Sequence, residues 1–135
     1  MKDNLIQNLS HKFAVNIVKF CLYLNDTKKF YALTSQLVRS GTSIGSNICE
    51  AQDAQSYADF ISKMNISLKE ANETCFWLEI LFESGFIEEK HYKQLYPQAR
   101  ELKRILSSII KTSKERNNSV REESSYCIIN FDFII

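Results

Sequence analysis

Apolar side chains recur in steps of three and four through most of this chain, the spacing that lines one face of an α-helix. In residues 10–25, SHKFAVNIVKFCLYLN, they are Phe13, Ile17, Phe20 and Leu24, with Ala14, Val18 and Cys21 widening the stripe. Ser10 reads as the N-cap and Asn25-Asp26-Thr27 as the stop. A second segment, 29–52, carries Leu33, Leu37, Ile44 and Ile48 on one face. A third opens with Ser56 and Asp59, an S-x-x-D variant of the capping box. Its seam is Tyr57, Ile61, Met64, Leu68, Ala71, Cys75, Leu78 and Phe82, and Gly85 is the expected residue just past its end. Helical from 56 to 84, it would be about 43 Å long at 1.5 Å per residue.

The fourth segment repeats the pattern with Tyr92, Leu95, Ala99, Leu102, Leu106 and Ile109, interrupted by Pro97. A proline costs about 3 kcal/mol inside a helix and almost nothing at its first position. The expectation is therefore a short helix near 88–95 and a main helix from 97 to about 115. Four amphipathic segments joined by short connections predict an all-α fold, an antiparallel up-and-down four-helix bundle over residues 1–115. Residues 116–125, RNNSVREESS, have the composition of a linker. The strand-prone YCIINFDFII after them has nothing to pair with, so 116–135 reads as a flexible tail, disordered or loosely attached.

One stretch is too apolar for a lone bundle. In CFWLEILF, 75–82, seven of eight side chains are apolar and surround the helix. Either helix 4 and the 85–90 turn cover the outer part, or a second copy does. Self-association is the preferred reading, with Phe76, Trp77, Ile80 and Leu81 as candidate oligomer interface.

Composition agrees with helices: three glycines and one proline in 135 residues leave little material for the turns of an all-β fold. The net charge of +1 says nothing about a partner, but the charges are sorted. Residues 1–50 carry 6 basic and 3 acidic groups, 51–85 carry 2 and 6, and 86–111 carry 6 and 3. Such sorting builds either a basic face or helix-to-helix pairing. The candidate nucleic-acid contacts are Lys12, Lys19, Arg39, Arg100, Lys103 and Arg104.

Catalytic chemistry is poorly supported. His11 and His91 sit in no metal-ligand pattern and read as surface residues at helix starts. Glu70 and Glu73 lack a Glu-x-x-His partner and read as a solvated face. No base is identifiable for a serine or cysteine nucleophile. Cys21, Cys49, Cys75 and Cys127 have no metal-type spacing, and buried free thiols in a reducing cytosol are expected. No run approaches the ~18 apolar residues of a membrane span, and the N-terminus has no signal-peptide core. A cytoplasmic, non-enzymatic binding or assembly protein with no cofactor and no metal follows.

The stretch RSGTSIGSN, 39–47, holds two of the three glycines. A phosphate loop needs G-x-x-x-x-G-K-[ST] after a strand. Here the gap is three residues, no lysine follows, and the context is helical. Gly41 and Gly45 lie one turn apart on one helix face, each costing about 1 kcal/mol relative to alanine, and read as a close helix-packing face.

LTSQLVRSGTSIGSNICEAQ followed by DFISKMNISLKEANETCFWLEIL resembles the four-helix-bundle family of ribosomal-RNA intervening-sequence proteins, over about residues 4–114. The accessory protein of diversity-generating retroelements is similar to the same family. The resemblance implies an antiparallel bundle that assembles into a homopentameric barrel. It also implies RNA or DNA, and a reverse transcriptase or other protein, as partners to consider. Arg39 matches the family's basic position, and the resemblance leaves it as either a nucleic-acid contact or an intersubunit ion pair.

Overall fold

The computed structural model describes residues 4–122, which form four helices: α1 (Leu5–Thr27), α2 (Tyr31–Ala51), α3 (Tyr57–Glu83) and α4 (Glu89–Glu122). Neighbours in sequence are neighbours in space, and α1 and α4 close the bundle over a much shorter stretch. α1 and α3 therefore occupy diagonal corners.

Helix boundaries follow local chemistry in most places. The Asn4 side chain caps α1 by accepting from the Gln7 N–H at 3.2 Å. The helix thus starts one and a half turns before Ser10, the cap expected from sequence. Ser10 is instead buried within α1, donating to the Gln7 carbonyl. Ser56 accepts from the Asp59 N–H at 3.0 Å, and Asp59 accepts from the Gln55 N–H at 3.3 Å, a reciprocal cap for α3. α3 stops in a Schellman turn, with Phe86 N–H on the Leu81 carbonyl, Gly85 N–H on the Phe82 carbonyl, and Gly85 at φ 79. α1 ends less comfortably, with Lys29 at φ 55, a conformation that costs a residue with a Cβ about 1–2 kcal/mol.

α4 is one helix, not two. Pro97 lies inside it, so the split expected at this residue does not occur. The proline removes one hydrogen bond to the Lys93 carbonyl, but Lys93 and Pro97 are exposed and water can serve that oxygen. Leu95, Ala99, Leu102 and Leu106, all buried, anchor the helix on both sides of the proline. α4 also runs on to Glu122, through 116–122, which composition marks as linker. The remainder of the expected tail lies outside the described residues.

The core face of α3 is turned relative to the expected seam. Tyr57, Met64, Ala71 and Leu78 are buried as expected, together with Cys75. The intervening core positions are Phe60, Ser67, Thr74 and Leu81, whereas Ile61, Leu68 and Phe82 are half-buried. Two polar residues in that second row hid it from a hydrophobic count. Both are satisfied against α2. Ser67 donates to the Ile44 carbonyl at 2.8 Å. Thr74 donates to Ser40 Oγ at 3.0 Å, and Ser40 in turn to the Leu37 carbonyl.

α2 thus sits between two close neighbours. On its α1 side, a Cβ at Gly41 would lie 2.9 Å from a methyl of the fully buried Ile17. A Cβ at Gly45 would lie 3.3 Å from the Ser10 carbonyl oxygen, which is backbone and cannot rotate away. Gly45→Leu is expected to lower stability by roughly 1–3 kcal/mol in urea titration through overpacking, despite leucine's better helix propensity. Unchanged stability would remove the close-approach account.

Cys21 and Cys75 are buried, but Cys49 is exposed, so the expectation of buried thiols fails at that position. Burial pushes the Cys21 thiol up from 9.0 to about 11. A thiol reacts as the thiolate, so at pH 8 Cys49 should be alkylated in the native protein. Cys21 and Cys75 should react only after denaturation, which peptide mapping by mass spectrometry would show.

Candidate functional site

The six basic candidates do not share one face. Arg39, on α2, pairs with Glu70 Oε2 at 3.1 Å and with Glu73, both on α3 of the same chain. It is therefore engaged inside the protomer, and Glu70 and Glu73 are its counter-ions, not an idle solvated face. The i, i+3 spacing of the two carboxylates was the available signal, and only the docking of α2 on α3 supplied its cation. Arg104 is held bidentately by Glu101 one turn away, which also draws the Glu101 carboxyl below its usual range.

Arg100 and Lys103 lie on the α3 side of α4, where their charges reach Cys75. Lys12 lies on the other side, lining a groove between α1 and α4 with Leu9, Phe13, Pro97 and Leu102. The groove is about 390 Å³, and Asn16 Nδ2 donates to Gln98 Oε1 beside it. Lys19 borders a shallow apolar depression with Val15 and Val18 on the outside of α1. Structure thus gathers five of the six around α4 and the flanking edge of α1, and leaves Arg39 on the α2–α3 side. α4 itself carries nine basic and four acidic residues in 34.

The four apolar interface candidates also divide. Leu81 is fully buried in the core and unavailable to another chain. Trp77 is half-buried, packed edge-on against Phe76 at 5.5 Å. Phe76 and Ile80 are 52% and 42% exposed, one turn apart on the outer face of α3, with Ile66 further along that face. The diagonal helix carries its own outward stripe, Val15, Val18 and Leu22.

Sequence reasoning missed an aromatic row on the α3–α4 surface. Phe82 stacks on Tyr92 at 4.4 Å, Tyr92 on Tyr96 at 4.7 Å, and the Arg100 guanidinium lies 5.8 Å from the Tyr96 centroid. The Tyr96 hydroxyl donates to Glu79 on α3. Tyr92, Tyr96 and Arg100 are four residues apart, so the row was legible as an i, i+4, i+8 pattern. His91 is likewise not a free surface residue: its half-buried ring packs on Phe20 at 4.8 Å and on Tyr23 at 5.4 Å.

Among the described residues no group of three or more His, Cys, Asp or Glu could hold a metal ion, and no helix is long and apolar enough to cross a membrane. What the geometry presents is a class of protein: an all-α four-helix bundle whose buried polar groups are structural and whose distinctive features are surfaces. The chain belongs to the 23S rRNA-intervening sequence protein family, whose model matches residues 2–108. Among solved structures it is similar to a protein with unknown function from the S23 ribosomal protein family of Bacteroides thetaiotaomicron VPI-5482, determined at 1.70 Å. The two are 46% identical with a TM-score of 0.77, over 78% of this chain and 98% of the other. No curated protein matches the chain.

The division of CFWLEILF into buried and outward halves has a direct consequence for stability. Leu81→Ala should cost about 2–5 kcal/mol in thermal or urea unfolding, as large-to-small changes at sealed core sites do. Phe76→Lys should leave the far-ultraviolet helical signal intact. A Phe76→Lys chain that fails to fold would show that this side chain belongs to the core.

Proposed function

We propose that this protein is a non-enzymatic, cytoplasmic accessory protein that assembles into a homo-oligomer, a homopentameric ring, and binds RNA or DNA through the α4 side of the bundle. The observation that carries the reading is the basic surplus of α4, net +5 over 34 residues, on a helix that packs on α3 and meets α1 over a short stretch only. Arg100, Lys103, Lys111 and Lys114 take part in none of the ion pairs among the described residues. Lys12 and Lys19 form a separate basic edge on α1, across α4 from Arg100 and Lys103, and Arg104 contributes less because Glu101 already neutralises it.

Assembly is supported by the two outward apolar stripes. Phe76 and Ile80 lie on α3, and Val15, Val18 and Leu22 lie on the diagonal α1. Two different patches on different corners favour head-to-tail contacts, which close into a ring when the rotation allows. Five-fold repetition would turn a modest basic surface into a multivalent one. The family's name, which refers to an intervening sequence of 23S rRNA, supports considering a nucleic-acid role.

The competing reading is a scaffold that docks another protein, such as a reverse transcriptase. The near-neutral whole chain and the apolar α1–α4 groove favour it. Binding assays across salt concentrations separate the two. Structured RNA and duplex DNA should bind with little sequence preference, and affinity should fall steeply with salt, each neutralised phosphate adding about −0.9 to the log–log slope on duplex DNA. Replacing Arg100, Lys103 and Arg104 together by Ala should flatten that slope while light scattering reports the same assembly. Phe76→Glu with Ile80→Glu should give a helical monomer. Protein that ignores both nucleic acids at ~50 mM salt would favour the scaffold, and a monomeric wild type at micromolar concentration would end the ring proposal.

A further inference from the structure

The α3–α4 surface ends a row of stacked rings on a charged plane. Phe82, Tyr92 and Tyr96 stack with interplanar angles of 16° and 23°, and Arg100 continues the row one turn further along α4. Tyr96 is held from two directions: by Tyr92 against one face, and by its hydroxyl on Glu79 of α3. The same hydroxyl interacts with the Arg100 guanidinium, whose positive charge is stabilised as a result. A long, mobile cation is thereby given one position at no cost to its exposure. Arg100 remains exposed, so its side chain is open to a ligand arriving from solvent.

We infer that the exposed Arg100 side chain is a stacking platform for an unpaired base, so that the site takes single-stranded RNA or DNA in preference to a duplex. The inference rests on the nucleic-acid reading above and adds the class of strand. A planar guanidinium held beside an aromatic ring at 5.8 Å keeps a flat face that can take a planar group. Base faces inside a duplex are already covered by their neighbours, whereas those of an unpaired strand are open to arginine and aromatic side chains. Lys103, the next basic residue along α4 and half-buried, sits where a following phosphate would pass. Tyr96 acts as the positioning residue for Arg100, and Glu79 fixes Tyr96. Lysine at position 100 would keep the charge and lose the plane.

Fluorescence anisotropy at low salt with three probes of equal length tests this: an oligoadenylate strand, an abasic strand and a duplex. The full-length protein should bind the base-bearing strand about fivefold or more tightly than the abasic one, in line with the contribution of a single stacked base. Arg100→Lys, which keeps the charge and loses the plane, should shrink that difference by weakening the base-bearing strand more than the abasic one. Tyr96→Leu, which leaves Arg100 in place but unseated, should weaken binding of the base-bearing strand alone. Equal affinity of the wild type for base-bearing and abasic strands would overturn the stacking site and leave the phosphate-binding surface standing. An Arg100→Lys loss shared by both strands would do the same. Failure of all three probes to bind would overturn both.

Discussion

The rest of the bundle depends on how closely α2 can approach its two neighbours at once. Toward α1 the approach is allowed by the missing side chains of Gly41 and Gly45, which bring the α2 backbone against Ile17 and the Ser10 carbonyl. Toward α3 it is allowed by small hydroxyl residues, Ser40, Ser67 and Thr74, whose hydroxyls are hydrogen-bonded at the contact. A larger residue in either set would push α2 away from one partner and loosen the other. Glycines normally weaken a helix, and here tertiary contact on both sides outweighs that cost.

This arrangement sets what remains for the outside. With α2 drawn close to both α1 and α3, α4 packs along α3 and meets α1 over a short stretch only. A groove opens along that short contact, lined by Leu9, Phe13 and Leu102. The same packing directs Phe76 and Ile80 outward while it buries Leu78 and Leu81 from the same run. Electrostatics follows the packing as well. Arg39 is taken up by Glu70 and Glu73 at the α2–α3 contact, so the charge surplus that faces solvent belongs mainly to α4. An exposed pair of this kind adds little to stability, but it removes a cation from the set available to a partner.

Much of the fold was legible because helical periodicity is a local property. The four segments, the Ser56 cap and the Gly85 stop could each be read within a few residues. The failures share a cause. The α1 start was placed at Ser10 because a serine before an apolar run resembles a cap, yet Asn4 already does that work and Ser10 is needed as a thin residue opposite Gly45. The proline penalty alone predicts a break at Pro97, and the packing of Leu95, Ala99 and Leu102 offsets it. The expected α3 seam holds at Cys75 but misses Phe60, Ser67 and Leu81, which are buried in place of Ile61, Leu68 and Phe82. Ser67 and Thr74 escape an apolar count because they are polar. A hydrophobic count cannot recognise a buried hydroxyl that finds its acceptor on another helix.

The sequence by itself determined the helices, their order and the place of the thin face at Gly41 and Gly45. These follow from spacing, capping residues and side-chain size, all of which act over one or two turns. Tertiary structure alone decided which side of each helix is inside, which cations are already paired, and which of Phe76, Trp77, Ile80 and Leu81 a partner could reach. It also assembled the Phe82–Tyr92–Tyr96–Arg100 row, which joins residues of two helices. The physical reason is that burial and charge pairing depend on rotations of whole helices about their axes. Those rotations are set by contacts between residues tens of positions apart, such as Ser40 with Thr74 and Gly41 with Ile17.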